Sequence, residues 1–450
     1  MLLDSIGVVS MSKKIIVAGG GHGGVAVASI LAKNGFDVTV YEKNTRENMG
    51  YDWTDIFDPK ALSKAGIPMP DQSLFEYKTD MTFYSPNEKT AIRQRVPESQ
   101  LEIKMERKDI YNLLIDTAEK NGARLVYNCD INSAIIKDNR VVGINTSIGN
   151  IYGDLIIDAC GCESPIRSSL PEEFGIQKHP DRNEKFYIYR AFYNKATDKP
   201  VEDKYKVCLL PEGKLGIGWV ATEEEYTDLL IGRFEPFDMA EVERTAEYFK
   251  SRNESLGEKV VRGGQFVEIP VRQPISVMVA NGYAAIGDSA FMTVPIIGSG
   301  IANSLRAAPI LAKAIMDDRT ETYTAKALWQ YQYKFYKTLG AGLAPLAAVK
   351  LLLTRITPQQ LDYIFDKGIL TWREMTITAD STSITDFIHP ALDMPKRAIA
   401  IVKEVDLLKK MLKVGADIGK IMALCVTLPK EYNKEKVKQW AESYDNIFKQ

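Results

Sequence analysis

After its first ten residues the chain sets out an alternation of short apolar runs and glycine-punctuated turns. Lys13–Ala18 (KKIIVA) is an apolar run of strand length. A glycine cluster follows at Gly19–Gly24, and Val25–Lys33 is rich in small and apolar residues, as a helix against a sheet requires. Asp37–Glu42 (DVTVYE) alternates into a second strand, so strand, turn, helix and strand follow within about thirty residues. The same reading predicts a helix over Asp109–Asn121, ended at Gly122, and strands over Arg124–Asn128, Arg140–Thr146 and Asp154–Ala159. Phe186–Tyr193 and Leu215–Thr222 alternate and predict a separate antiparallel sheet. Phe237–Ser251 reads as a helix, Tyr283–Ile286 as a strand running into Gly287-Asp288, and Gly300–Met316 as a helix. From about Ala325 the pattern is helical.

The glycine cluster carries the first chemistry. Gly19, Gly21 and Gly24 satisfy G-x-G-x-x-G. The first glycine allows the tight turn, the second a close backbone approach to a pyrophosphate, and the third the packing of helix on strand. The helix N-terminus then faces phosphate charge. Glu42, at the end of the second strand, is the acid expected on a ribose hydroxyl. Strand, turn, helix and acid in register predict a dinucleotide site. His22, inside the turn, has two readings: a phosphate contact, or a tolerated side chain pointing to solvent.

Composition narrows the classes. A net charge of −2 over 450 residues leaves no broad basic surface for nucleic acid. The five cysteines are odd in number and lack zinc spacing, which predicts reduced thiols, a cytoplasmic protein and no metal site. Met1–Ser10 reads as an N-terminal extension rather than a signal peptide, since no basic region leads it. Leu339–Leu353 is apolar but interrupted by Pro345 and Lys350 and too short to span a bilayer. It reads first as a core helix and second as a peripheral membrane contact that admits a greasy substrate.

The turn alone does not separate FAD from NAD. Three further motifs do so by resemblance. Arg107–Leu114 (RKDIYNLL) resembles the segment of the para-hydroxybenzoate hydroxylase-like flavoproteins in which an arginine opens a helix and reaches FAD. Ala159–Arg167 (ACGCESPIR) resembles their A-D-G-x-x-S-x-x-R motif. Tyr283–Ala290 (YAAIGDSA), followed by Pro295, Gly298 and Gly300, resembles their G-D motif and P-x-x-G-x-G turn. The resemblance runs in family order from about Lys13 to Met316 and is nearest to the geranylgeranyl reductase branch. It implies an α/β fold, α+β overall: a Rossmann-like FAD-binding domain interrupted by an antiparallel β-sheet substrate domain, with a helical C-terminal region. The expected boundaries are 11–80, 100–178 and 260–325 for the FAD domain, 81–99 and 179–259 for the substrate domain, and 326–450 for the helical region.

It also implies non-covalent FAD held by Gly19, Gly21, Gly24, Glu42, Arg107, Gly287, Asp288, Pro295, Gly298 and Gly300. Cys160 stands where the family has aspartate, which argues against NAD(P)H as a direct donor and leaves a protein electron donor open. Cys160 and Cys162 read as two ordinary thiols ahead of a strained redox pair. Leu210–Gly213 and Leu215–Gly218 resemble the reductases' Y-x-W-x-F-P and G-I-G region, but Lys206 and Cys208 replace its aromatics. The expected reaction is hydride transfer from reduced flavin to a carbon–carbon double bond of a small lipophilic substrate. Flavin-dependent hydroxylation and electron transfer to a protein partner are the alternatives. No catalytic residue is fixed; Tyr51, Asp52 and Trp53 are candidates, with Asp52 or Asp55 as proton relays, and Tyr187, Tyr189 and Trp219 as substrate-lining aromatics.

Overall fold

A computed structural model of the chain describes residues 13–375 and 394–449; the N-terminal extension lies outside them. Its centre is a six-stranded sheet in the order Val279–Ala280, Tyr283–Ala285, Leu155–Asp158, Lys14–Ala18, Asp37–Tyr41 and Arg124–Val126. All neighbours are parallel except the first pair. The strands are apolar on both faces because helices cover both, as parallel sheets require. Ile15, Ile16, Val17 and Ala18 are completely buried. The helix His22–Lys33 starts one turn earlier than the sequence pattern suggests, because the glycines at its N-terminus are already helical. It packs against helices Arg107–Lys120 and Ile301–Asp317.

A second, seven-stranded sheet is built around Lys185–Lys195. Its neighbours Leu256–Pro270 and Tyr226–Arg233 pair antiparallel on either side, and Gly216–Thr222, Tyr205–Leu209, Met81–Tyr84 and Ala91–Arg93 complete the order. The edge strand Leu256–Pro270 crosses the boundary expected at 259/260, so the sheet extends to Pro270. Sequence patterning misses this strand because Gly263 and Gly264 interrupt it at φ +72° and +77° and shift its register against Arg190–Ala191. Helix Met239–Lys250 covers one face of the sheet through Val242, Ala246 and Phe249.

The C-terminal part is helical, as its patterning predicts. Leu339–Leu353 is a core helix: Leu343 through Ala348 are buried, and only its end reaches solvent at Leu353. No single helix among the described residues is long and apolar enough to cross a membrane.

Candidate functional site

The glycine turn is fixed by contacts that only glycine permits. Gly19 has φ +89°, and a Cβ there would lie 2.6 Å from the Ala159 carbonyl oxygen. A Cβ on Gly24 would lie 2.6 Å from the Ala159 methyl, so this glycine sets the approach of helix to sheet. Gly21, at ordinary φ, would carry its Cβ 3.0 Å from the same carbonyl oxygen. Glu42 closes the turn from the second strand: its Oε2 accepts from Gly20 N at 2.8 Å and its Oε1 from Asn44 N at 2.9 Å.

The His22 side chain does not point to solvent, one of its two readings. Its ring stacks on Tyr111 at 4.5 Å, and its Nε2 is sealed from solvent without a protein partner among the described residues. Burial, assisted by the Arg107 charge and opposed by Asp55, lowers its pKa to about 3, so the ring is neutral at pH 7.

Arg107 opens its helix as the motif implies, but here its Nε and Nη2 donate to Asp55 at 2.6 and 2.7 Å. Its guanidinium lies over the rings of Tyr51 and Trp53, 4.9 and 5.7 Å away. Burial raises the Asp55 pKa, but the Arg107 charge and hydrogen bonds win and hold it below the ordinary carboxylate range. Asp55 therefore rests ionised, paired with Arg107. Asp52 is tied to the second sheet: its carboxylate meets Arg262 Nη2 at 2.8 Å and accepts from Gly263 N at 3.2 Å. Tyr51 is about one-third exposed and tilted against Trp53 at 5.0 Å. Burial raises its pKa, so its hydroxyl keeps the proton.

Asp158 is a residue that motif reading passed over. It ends a wholly apolar strand and is itself completely buried. Its carboxylate accepts from Cys160 N (3.0 Å), Ser164 Oγ (2.6 Å), Tyr283 OH (2.9 Å) and Ser289 Oγ (2.9 Å). Two residues before Cys160 the chain thus carries an inward-turned acid; a charge closing a strand of otherwise buried apolar residues is its sequence signal. The Cys160 thiol donates to Ala18 O at 3.2 Å, and burial beside Asp158 pushes its pKa well up. Burial likewise pushes the Cys162 thiol up to about 12. Both thiols are free and protonated at neutral pH, in keeping with ordinary thiols.

The second glycine turn lies beside these loops, where Gly161 N donates to Ser289 Oγ at 2.9 Å. Asp288 Oδ1 accepts from Thr293 Oγ1 at 2.8 Å, and burial raises the Asp288 pKa. Gly287 and Gly298 have φ +67° and +71°. A Cβ on Gly300 would lie 3.2 Å from Asp288 Oδ1. Gly300 caps helix Ile301–Asp317, whose N-terminus therefore opens beside Asp288, and Val294 through Ile297, including Pro295, form the connecting turn.

The second sheet divides the aromatic candidates between its faces. Tyr189 packs with Ala191, Tyr193 and Phe249 beneath helix Met239–Lys250 and belongs to that core. Tyr187 borders a groove of about 250 Å³ with Pro236, Phe237 and Phe266. Trp219 is on the opposite face, clustered with Phe186, Ile188, Phe192 and Leu230, and this cluster also takes in Trp53 from the nucleotide-binding part. Among these rings is a buried cation that the sequence pattern did not reveal. Arg190 pairs with Asp228 at 2.6 Å, donates to Thr54 O and Oγ1 at 2.7 and 2.9 Å, and lies 5.5 and 5.0 Å from the Trp53 and Trp219 rings. The indole nitrogens of Trp53 and Trp219 are buried without a partner among the described residues.

These features fit a flavin dinucleotide. A bare-backbone turn, an unengaged buried His22 Nε2, the Arg107 cation, and a desolvated Asp288 at a helix N-terminus are the donor and acceptor set that a pyrophosphate and polyol require. Residues 17–62 match the NAD(P)-binding Rossmann-like domain. The digeranylgeranylglycerophospholipid reductase of Sulfolobus acidocaldarius is 22% identical over 96% of both chains. Across almost its whole length, the chain is similar to this reductase. The digeranylgeranylglycerophospholipid reductase of Haloferax volcanii is 23% identical, over 78% of this chain and 87% of its own. Among solved structures, a geranylgeranyl bacteriochlorophyll reductase-like protein from Thermoplasma acidophilum superposes with a TM-score of 0.72 at 18% identity, covering 90% of this chain and 99% of that one. PqsL of Pseudomonas aeruginosa, a probable FAD-dependent monooxygenase, reaches 0.56 at 17% identity over 79% of this chain and 100% of its own. The likeness to geranylgeranyl reductases read from the motifs thus extends over the whole chain, and the fold is the interrupted Rossmann-like one that they implied.

Proposed function

We propose that the chain is an FAD-dependent reductase that saturates carbon–carbon double bonds of a lipophilic, isoprenoid-type substrate. The observation that carries this reading is the similarity to the digeranylgeranylglycerophospholipid reductase of Sulfolobus acidocaldarius over 96% of both chains. Trp219, partly exposed at the edge of the packed cluster of Trp53, Phe186 and Phe192, supports it as an apolar wall beside the nucleotide-binding loops. The reductase of Haloferax volcanii, matched over 78% of this chain, supports the same substrate class. Gly19, Gly21, Gly24 and Glu42 would hold the dinucleotide's phosphate and ribose, Arg107 its negative charge, and Asp288 with Gly298 and Gly300 the flavin end. Reduced FAD supplies a hydride equivalent to the alkene. Tyr51 holds a proton near this site, and the ionised Asp55 and Arg107 fix the ring that carries it.

The test is to reduce the holoprotein chemically without oxygen and add digeranylgeranylglycerol phospholipid. Mass spectrometry should show product heavier by one dihydrogen per reduced double bond. A product that instead gains an oxygen atom, and only in air, would overturn the reductase reading in favour of the hydroxylase that the likeness to PqsL keeps open.

A further inference from the structure

We propose that helices Met394–Lys403 and Val405–Thr427 present a docking face for an anionic lipid surface. Val405–Thr427 is anchored on one side only. Leu407, Val414, Ile421 and Cys425 are buried against the rest of the C-terminal part, including helix Gly340–Leu353. The other side is apolar and open. Val405, Leu412 and Val426 recur at multiples of seven residues, which is two helical turns, so they align on one stripe. Leu412 is 64% exposed and Val426 73%, and Met422 stands beside them, also exposed. Gly415, Ala416, Gly419 and Ala423 lie between, so the larger side chains stand proud of the helix. The preceding helix adds Ile399 and Val402, both 59% exposed.

Charge identifies the occupant. Lys409, Lys413 and Lys420 form an exposed row along the edge of the apolar stripe, and Lys396 and Lys403 continue it on the preceding helix. Over 394–427 there are seven lysines and arginines against three acids, in a chain whose net charge is −2. Of those acids, Asp406 pairs with Lys410 at 2.7 Å, and Asp417 lies 3.4 and 3.5 Å from Lys413 and Lys420. The same face of a second copy therefore has little free acid to meet this row, while Lys396, Lys403 and Lys409 stand exposed without an ion-pair partner among the described residues. An anionic bilayer supplies that partner: the apolar stripe enters the headgroup boundary while the lysine stems lie along it and the ammonium groups reach phosphate. Leu407 and its neighbours also pack against Phe83, Ile92 and Leu210 of the second sheet, so the buried side of this helix anchors the open stripe on that sheet. The inference does not depend on the reaction.

Flotation of the full chain with vesicles tests it. Phosphatidylcholine vesicles containing phosphatidylglycerol should carry the protein up the gradient, and neutral phosphatidylcholine vesicles should carry at least about tenfold less at low salt. A Leu412→Gln/Met422→Gln/Val426→Gln variant should keep its melting temperature, since these side chains are exposed, and lose flotation at least about tenfold. A Lys403→Glu/Lys409→Glu variant should lose the preference for anionic vesicles, and it serves as the readout should the first variant not fold. The proposal is overturned by no flotation with anionic vesicles at low salt, by unchanged flotation in the variants, or by a wild-type dimer that the apolar variant dissociates.

Discussion

His22 shows how a residue that looks optional in a glycine turn becomes a pH sensor of stability. Folded, its pKa is about 3; unfolded, it returns to near 6.5. Between those values the unfolded chain binds the extra proton. Stability therefore rises with pH through this window, is full above 6.5, and declines as pH falls, at up to about 1.4 kcal/mol per unit. A His22→Gln variant should show a flatter urea midpoint between pH 4.5 and 6.5, at roughly constant stability above it; an unchanged slope would mean the ring is not buried neutral. Asp55 works in the other sense. Its folded pKa is depressed, so its contribution is present above the unfolded carboxylate value and is lost as pH falls through the folded one. Asp55→Asn strands a buried guanidinium and should cost about 3 kcal/mol or more in the FAD-free protein. If Arg107 also meets the cofactor's pyrophosphate, saturating FAD should narrow that deficit; an equal deficit with and without FAD would count against Arg107 as a cofactor ligand. At the turn, Gly24→Ala forces a methyl to within 2.6 Å of Ala159 and should lower melting temperature and FAD retention together. Gly21→Val crowds the Ala159 carbonyl from 3.0 Å and should lose FAD as well. A variant that stays folded and fully yellow would break the assignment of the turn.

At the scale of elements, the legibility of the sequence follows the strength of period and punctuation. The parallel strands stand out because they are short apolar runs closed by glycine or acid, and Arg140–Thr146 is found with the bounds its pattern predicts. The helix Arg107–Lys120 is shifted by two residues because its first turn is polar and faces the site. What patterning does not separate is the two faces of Lys185–Lys195. Almost every residue in this strand is buried, on both faces, so alternation carries no label for which face meets the cofactor domain. That is why Tyr187 and Tyr189 were reasonable substrate candidates, yet Tyr189 lies under helix Met239–Lys250 while Phe186, Ile188 and Phe192 face Trp53. The Arg190–Asp228 pair was hidden for a related reason: its partners are distant in sequence and meet only through strand register. The two faces make separable predictions. Trp219→Leu should raise the KM for an isoprenoid substrate several-fold and lower the melting temperature less than Tyr189→Leu, because Trp219 is partly exposed and Tyr189 is not. Tyr189→Leu should lower the melting temperature and leave KM near wild type. The reverse pattern would place the substrate under the helix instead.

For the whole molecule, the question is where electrons enter. The match to an NAD(P)-binding Rossmann-like domain covers residues 17–62, the turn that FAD and NAD(P) proteins share, so it does not name the donor. The motif position that carries aspartate in the related hydroxylases is Cys160, and its thiol is turned inward to the Ala18 carbonyl rather than outward to a second dinucleotide. The nearby acid, Asp158, is already engaged by four donors around its carboxylate. NADPH alone should therefore leave the flavin oxidised over a time in which dithionite bleaches it fully; bleaching by NADPH within a turnover would refute this. Restoring the family acid offers an independent check. In Cys160→Asp the new carboxylate would stand against the Ala18 carbonyl and beside Asp158, two acceptors with no added donor, at a cost of about 2 kcal/mol or more. The expected outcome is a lower melting temperature, less severe at acid pH where the new carboxyl can protonate, and no gain in reduction by NADPH. A stable variant that NADPH reduces would show that Cys160 alone had closed this route, and that the chain retains a nicotinamide site that its loops do not advertise.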